Sequence, residues 1–368
     1  MNEHIHQKFM KMALEQAQLG IPLAFPNPSV GAVVVKNGNV IGKGFTLPFG
    51  GEHAEFMAIN NCIESPEGAD LYATLEPCCH QDKKTPPCTS IIIEKKIKRV
   101  FVATLDPNPK VNGKGIELLR KNNIEVKVGM LEQPAKIQNE IFFVNQKLKR
   151  PFVFLKLAQT LDAKVASEDG KSRWITGAES RNKVHQLRSH YGAVMIGSNT
   201  ALADNPKLNV RSTEKNLRPV KRIIVGNYQK LPSHFNLVSD QLMDQTYIFT
   251  AEHPPFKNSP PLHIFTLPGN SEGKLNVQEI LDLCFKNEIY AILLEGGPQL
   301  ASEFLRQHLV DRVGIFIAPK ILGTGQNSIS SLDITSLDHA LELNDVHFSQ
   351  YGQDILVEGI PNYKQTSK

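Results

Sequence analysis

The chain has 368 residues, 41% of them hydrophobic, with 41 basic side chains against 37 acidic ones and a formal net charge of +4. That length suggests two domains with an ordinary core each, and the near balance of charge argues against the broad basic footprint of a nucleic-acid binder. Met1–Lys8 lacks the apolar core of a signal peptide, and no stretch reaches the eighteen or so apolar residues of a membrane span, so a cytoplasmic chain that binds neither nucleic acid nor membrane is expected. Five cysteines, three of them in one short loop, suit metal binding in a reducing compartment better than a disulfide framework.

Phe9, Met10, Ala13, Leu14 and Ala17 recur at helical spacing, and Gly20 stands where a cap would close that helix. Gly31 to Val35 reads as a strand, Asn37-Gly38 as a two-residue hairpin turn and Val40-Ile41 as the returning strand. A helix is expected from His53 to about Cys62, a short strand over Leu71 to Leu75, and a helix from Thr89 to Lys96. A strand, helix and strand follow at Val100 to Thr104, Gly115 to Asn122 and Ile124 to Val128, and then an amphipathic segment from about Gln133 to Leu148. Lys147-Leu148-Lys149-Arg150-Pro151 reads as a solvated linker, so the domain boundaries are drawn at residues 1–147 and 151–362.

His53-Ala54-Glu55, then Pro77-Cys78 and Pro86-Pro87-Cys88, form the pattern of a zinc deaminase: one imidazole and two thiolates on Zn²⁺, with a carboxylate left off the metal as acid and base. Three protein ligands leave a fourth position for water, which zinc activates near neutral pH. Nine residues separate Cys78 from Cys88, where the common pattern has two, and Cys79 competes with Cys78 as the ligand. A closed structural zinc loop is the alternative, and Glu55 separates the two because a structural site has no use for it.

The second half carries no Gly-x-Gly-x-x-Gly, so a standard dinucleotide-binding loop is not supported. Gly296-Gly297-Pro298, between the apolar strand Ala291 to Leu294 and the helical Gln299 to Leu309, suits phosphates through close backbone approach and free amides at a helix start.

The chain resembles the RibD family of bifunctional riboflavin-biosynthesis proteins, in which a pyrimidine deaminase is fused to a reductase. Pro26-Asn27-Pro28-Ser29-Val30-Gly31, Thr74-Leu75-Glu76-Pro77-Cys78 and Asp106-Pro107-Asn108-Pro109 carry the resemblance in the first half beside the metal motifs. Leu155 to Ala158, Leu161-Asp162, Arg173-Trp174-Ile175-Thr176, Thr200 to Pro206, Glu295 to Pro298 and Ala318-Pro319-Lys320 carry it in the second. The resemblance implies an α/β protein: an N-terminal cytidine-deaminase-like α/β/α domain and a C-terminal dihydrofolate-reductase-like α/β domain. It implies Zn²⁺ on His53, Cys78 and Cys88 with Glu55 catalytic, and hydrolytic deamination of 2,5-diamino-6-(5-phosphoribosylamino)pyrimidin-4-one. NADPH would then reduce the ribose of the product. By resemblance Ala158, Trp174, Thr200, Asp204 and Gly297 would contact NADPH, and Asn27, Ser172, Arg188, Leu208, Arg211 and Glu295 the pyrimidine ribonucleotide substrate. A homodimer through the reductase half is the family-based expectation.

From the residues alone Asn27 is equally a turn residue between two prolines, Arg188 a solvated helix position and Trp174 a core anchor, while Asp162 and Lys156 are read as structural. The sequence departs from the family at Cys79, Thr46, Ala163 and Gly226-Asn227, the last where an Asp-Ser pair is expected near the cofactor. A nucleic-acid deaminase shares the zinc chemistry but leaves the second half unexplained, and a zinc-stabilised nucleotide sensor is the non-enzymatic alternative.

Overall fold

The computed structural model describes residues 3–80, 86–170, 174–210, 220–227, 231–251 and 261–363, and the chain divides into two compact units, Met1–Lys149 and Arg150–Lys368. Ser172 and Arg211, two of the expected substrate contacts, lie outside the described residues.

The first unit opens with α1 (Glu3–Ala24) and the hairpin β1 (Gly31–Lys36) and β2 (Asn39–Phe45). Asn37 and Gly38 have φ of 50° and 81°, the paired positive values that a type I′ turn requires. There follow α2 (Ala54–Asn60), β3 (Asp70–Ala73), α3 (Cys88–Glu94), β4 (Arg99–Val102), α4 (Lys114–Lys121), β5 (Glu125–Val128), α5 (Glu132–Gln138) and α6 (Glu140–Leu148). The sheet order is β2-β1-β3-β4-β5, with β1 antiparallel to both neighbours and β3, β4 and β5 parallel. Successive residues of β1 feed opposite faces: Val33 and Val35 pack with Phe9, Met10 and Ala13 of α1 and Ala135 of α5. Ala32 and Val34 pack with Ala54 and Ala58 of α2, Ile91 and Ile92 of α3, and Ile116 and Leu119 of α4. A strand buried on both faces reads as a continuous apolar run, which is what Gly31 to Val35 shows.

Gly20 does not end α1. The helix continues to Ala24, and a Cβ at Gly20 would stand 2.6 Å from Ser29 Oγ and 3.0 Å from the Thr46 carbonyl. The glycine therefore serves a close approach within the helix and caps nothing. The amphipathic run at Gln133 to Leu148 is two helices, broken at Asn139. Asn139 donates to the Ser29 carbonyl at 3.0 Å and accepts from the Ser29 amide at 2.8 Å.

The second unit contains β6 (Phe152–Thr160), β7 (Lys164–Ala166), α7 (Ala178–Tyr191), β8 (Ala193–Gly197), α8 (Ser198–Asp204), β9 (Lys221–Val225), α9 (Asn236–Ser239), β10 (Thr246–Thr250) and β11 (His263–Thr266). It ends with α10 (Val277–Lys286), β12 (Ala291–Leu294), α11 (Pro298–Arg306), β13 (Arg312–Ala318), β14 (Gln326–Asn327), β15 (Leu343–Tyr351) and β16 (Asp354–Pro361). Among the described residues nine strands form one sheet in the order β11-β10-β9-β8-β12-β6-β13-β16-β15. The seven from β11 to β13 are parallel, and the β15–β16 hairpin closes the edge antiparallel to β13. The chain runs from β6 to β8 and outward to β11, then returns to insert β12 between β8 and β6. In an open parallel sheet, ligands bind beyond the carboxyl ends of strands where the order reverses in this way.

Arg150, expected in a solvated linker, is 6% exposed and belongs to this unit. Its guanidinium closes on both carboxylate oxygens of Asp311 at 2.7 and 2.8 Å, so the positive charge is paired beneath the first strand. Among the described residues no helix is long and apolar enough to cross a membrane.

Candidate active sites

In the first unit the loops that carry the motifs leave one end of the sheet. Gly31 pairs with Phe45, and the Thr74 amide donates to the Gly31 carbonyl at 3.0 Å, so the start of β1, the end of β2 and the end of β3 lie together. Asn27 precedes β1, half-buried, in the loop that Asn139 pins through Ser29. Thr46, one of the departures, is buried and takes the Val30 amide on its hydroxyl at 3.0 Å.

His53 is the N-cap of α2 and Cys88 the first residue of α3, while Cys78 lies in the loop after β3. Their ligand atoms converge: His53 Nδ1 is 3.2 Å from Cys88 Sγ and 3.5 Å from Cys78 Sγ, and the two sulfurs are 3.3 Å apart. Tetrahedral zinc with Zn–N near 2.0 Å and Zn–S near 2.3 Å sets its ligand atoms about 3.5 to 3.8 Å apart, so the three fit that ion, slightly drawn together. Cys79 turns away, its sulfur 3.9 Å from the Lys110 carbonyl, and is outside the cluster. Glu55, two residues into the same turn, is also outside it and is 3% exposed. Burial first, and then the Cys78 sulfur, push its carboxyl above the ordinary value; His53 opposes them, as would a cation on the three ligands.

Glu76, whose role the sequence did not reveal, anchors the metal loop. Its buried carboxylate accepts the amides of Gly113 at 2.9 Å, Gly115 at 3.0 Å, Asp106 at 3.2 Å and Ile116 at 3.3 Å. The Asp106-Pro107-Asn108-Pro109 segment and the start of α4 are thereby tied to the residue that precedes Pro77-Cys78.

In the second unit, Ala158 lies near the end of β6, Thr200 in the helix after β8 and Gly297 at the N-cap of the helix after β12. These are three adjacent parallel strands, and a Cβ on Gly297 would be 3.1 Å from Thr200 Oγ1. Asp204 closes α8, and Asn205 after it has φ of 40°. Gly226 follows β9, and a Cβ there would stand 2.5 Å from Ser198 Oγ, so this departure lets the strand end approach the start of α8.

Arg188 is not solvated: its side chain is 15% exposed and its fork closes on Glu295, Nε to Oε1 at 2.6 Å and Nη2 to Oε2 at 2.9 Å. Nη1 also donates to the Asn209 carbonyl at 3.2 Å, which brings the segment of buried Leu208 to the same place. Lys156 Nζ stands 3.9 Å from Glu295 Oε2. Burial alone would push the Glu295 carboxyl up, but Arg188 and Lys156 outweigh it and hold it down to about 2. Burial lowers the Lys156 ammonium, with Glu295 opposing. Trp174 is 65% exposed and so anchors no core.

Two family models match this arrangement of units. The cytidine and deoxycytidylate deaminase zinc-binding region matches residues 3–104, and the RibD C-terminal domain matches residues 151–357. The riboflavin biosynthesis protein RibD of Aquifex aeolicus is 40% identical over 359 residues, covering 97% of this chain and 99% of its own. The chain belongs to the RibD family. Among solved structures, Acinetobacter baumannii RibD is 32% identical with a TM-score of 0.85, covering 98% of this chain and 100% of its own. The Thermotoga maritima diaminohydroxyphosphoribosylaminopyrimidine deaminase/5-amino-6-(5-phosphoribosylamino)uracil reductase is 39% identical with a TM-score of 0.83, covering 98% and 99%. This RibD-family chain thus has both halves of the architecture, a zinc-binding deaminase unit and a reductase unit.

Proposed function

We infer that the chain is a bifunctional enzyme of riboflavin biosynthesis. It deaminates 2,5-diamino-6-(5-phosphoribosylamino)pyrimidin-4-one to 5-amino-6-(5-phosphoribosylamino)uracil, and then reduces the ribose to give the ribitylamino phosphate. The observation that carries the reading is the His53, Cys78 and Cys88 cluster beside a buried, non-ligating Glu55 on a chain that also holds a complete reductase unit.

His53, Cys78 and Cys88 would hold a zinc ion, which would supply an activated water at neutral pH. Glu55 would take one proton from that water and give it to the pyrimidine ring nitrogen, then take the second from the hydroxyl now on the carbon and pass it to the amine, which leaves as ammonia while the carbonyl forms. Asn27 holds the pyrimidine from the loop before β1. In the reductase unit NADPH supplies the hydride. Gly297 and Thr200, side by side at the carboxyl ends of β12 and β8, would hold the cofactor together with Ala158, Trp174 and Asp204. Glu295, kept ionised and oriented by Arg188, accepts from ribose hydroxyls and Leu208 packs against the substrate, while Ser172 and Arg211, outside the described residues, are assigned to the substrate on the family resemblance alone.

Glu55→Gln tests the first step. It keeps the three ligands and is expected to lower ammonia release by about 10²- to 10⁴-fold with zinc content unchanged. NADPH oxidation on the pre-deaminated substrate should persist. Undiminished ammonia release would show that Glu55 is not the proton carrier. The proposal extends to a cytoplasmic homodimer through the reductase unit, for which a monomer mass by light scattering would be contrary evidence.

A further inference from the structure

Three loops meet at the carboxyl edge of the reductase sheet. β6 and β13 are paired to their last residues, Thr160 opposite Ala318, so residues 161–163 and 319–323 leave the sheet side by side. The Leu161 amide donates to the Lys320 carbonyl at 2.8 Å. Asp162 accepts the Thr160 hydroxyl at 2.6 Å, the Leu322 amide at 3.1 Å and the Gly323 amide at 2.7 Å, binding the first loop to the third. Lys320 then reaches the remaining loop, its Nζ donating to the carbonyls of Trp174 at 2.9 Å and Ile175 at 2.7 Å.

Burial does not hold Trp174 in place, since its ring is mostly in solvent. Polar tethers do. Arg181 lies over the indole with its guanidinium carbon 4.4 Å from the ring centre and donates to the Thr176 carbonyl at 2.7 Å. The Gly177 amide is held by Asp354 at 2.7 Å. An exposed aromatic ring fixed from the backbone outward is a surface whose ordering cost falls before a ligand arrives. One face carries Arg181, and a second planar group stacks on an indole without needing a matched hydrogen bond.

We propose that Lys320 is a positioning residue for the reductase cofactor: by tying the Trp174 and Ile175 carbonyls to the loop after β13, it presets the indole to receive a planar ring of the dinucleotide. This rests on the reading that Trp174 contacts NADPH. It assigns Lys320 no contact with substrate or hydride.

Trp174 is the only tryptophan of the chain, so its fluorescence reports this loop and no other. Lys320→Met keeps the aliphatic stem and removes the donors; Lys320→Arg restores donors. In the full-length, zinc-loaded protein, Lys320→Met is expected to increase acrylamide quenching of Trp174 and lower its anisotropy. It should raise KM for NADPH by about fivefold to tenfold while kcat stays within about twofold, the pattern of lost preorganisation. Lys320→Arg should recover most of both, and ammonia release should match wild type in each variant. Unchanged quenching and KM would overturn the proposal. So would a fall in kcat with quenching unchanged, which would put Lys320 on the reacting groups, or a loss of ammonia release, which would show a general folding defect. A wild-type chain that neither binds nor oxidises NADPH would sink the reductase reading instead, and the quenching comparison would still decide whether Lys320 holds the indole.

Discussion

Glu55 is buried and Glu295 nearly so, and their neighbours push the two carboxyls in opposite directions. Glu55 has burial and a cysteine sulfur against it and is driven up; Glu295 has a bidentate guanidinium and a nearby ammonium and is held near 2. For Glu295 the sign follows directly. A carboxyl near 2 in the fold against an ordinary 4.5 contributes stability above about pH 4.5, and that contribution fades as pH falls through this range toward 2. The difference in unfolding midpoint between wild type and Glu295→Gln should therefore be largest near neutrality and shrink on acidification; a gap that widened toward pH 3 would contradict the pairing. The metal loop gives a second prediction at this scale. Cys78→Ser should lose zinc, whereas Cys79→Ser should keep a full equivalent by metal analysis, because only the Cys78 sulfur converges with His53 and Cys88. The convergence of His53, Cys78 and Cys88 was legible in the sequence because their residue types have few other reasons to occur in that order beside a Glu55. Between the adjacent cysteines the sequence favours Cys78, which directly follows Glu76-Pro77, and the turn of the loop, which no local pattern gives, brings that sulfur to the other two ligand atoms. Arg188 and Glu295, 107 positions apart, leave no local signal of their pairing, so only the family resemblance, which makes both substrate contacts, stood against the solvated-helix reading of Arg188.

Elements place these residues through a few long-range polar contacts. Glu76 gathers four amides onto one carboxylate, and Glu76→Gln would set an amide group against two of those donors. Leaving buried donors unmet costs on the order of 3 kcal/mol. The expected result is faster transfer of zinc to a chelator and weaker ammonia release, with NADPH oxidation retained as the control within the same chain; unaltered zinc release would show that α4 holds the loop without Glu76. The hairpin at Asn37-Gly38 was legible because two positive φ values demand those residue types, and β1 because an apolar run of that length suits a strand buried on both faces. The ends of α1 and the break at Asn139 were not. Gly20 reads as a stop signal in sequence, yet the space it vacates is filled by Ser29 and Thr46 from segments that only the fold brings near. Asn139 breaks a helical pattern in order to hold Ser29, 110 positions away.

On the scale of the whole molecule, one chain carries two chemistries in units with separate cores, each with its site where strand ends and loops converge. Variants in one unit should leave the other activity intact, and the predicted losses in Glu55→Gln and Lys320→Met fall on different steps for that reason. The order of the two steps can be measured directly on one chain. The zinc-loaded protein is given the diaminopyrimidine phosphoribosyl substrate, ammonia release is followed to completion, NADPH is added, and its oxidation is recorded. Ammonia is expected without NADPH, and then one equivalent of NADPH consumed per ammonia released, with the ribityl product formed. Zinc-loaded protein that releases no ammonia, or that releases ammonia and then leaves NADPH untouched, would contradict the claim that both reactions belong to this chain.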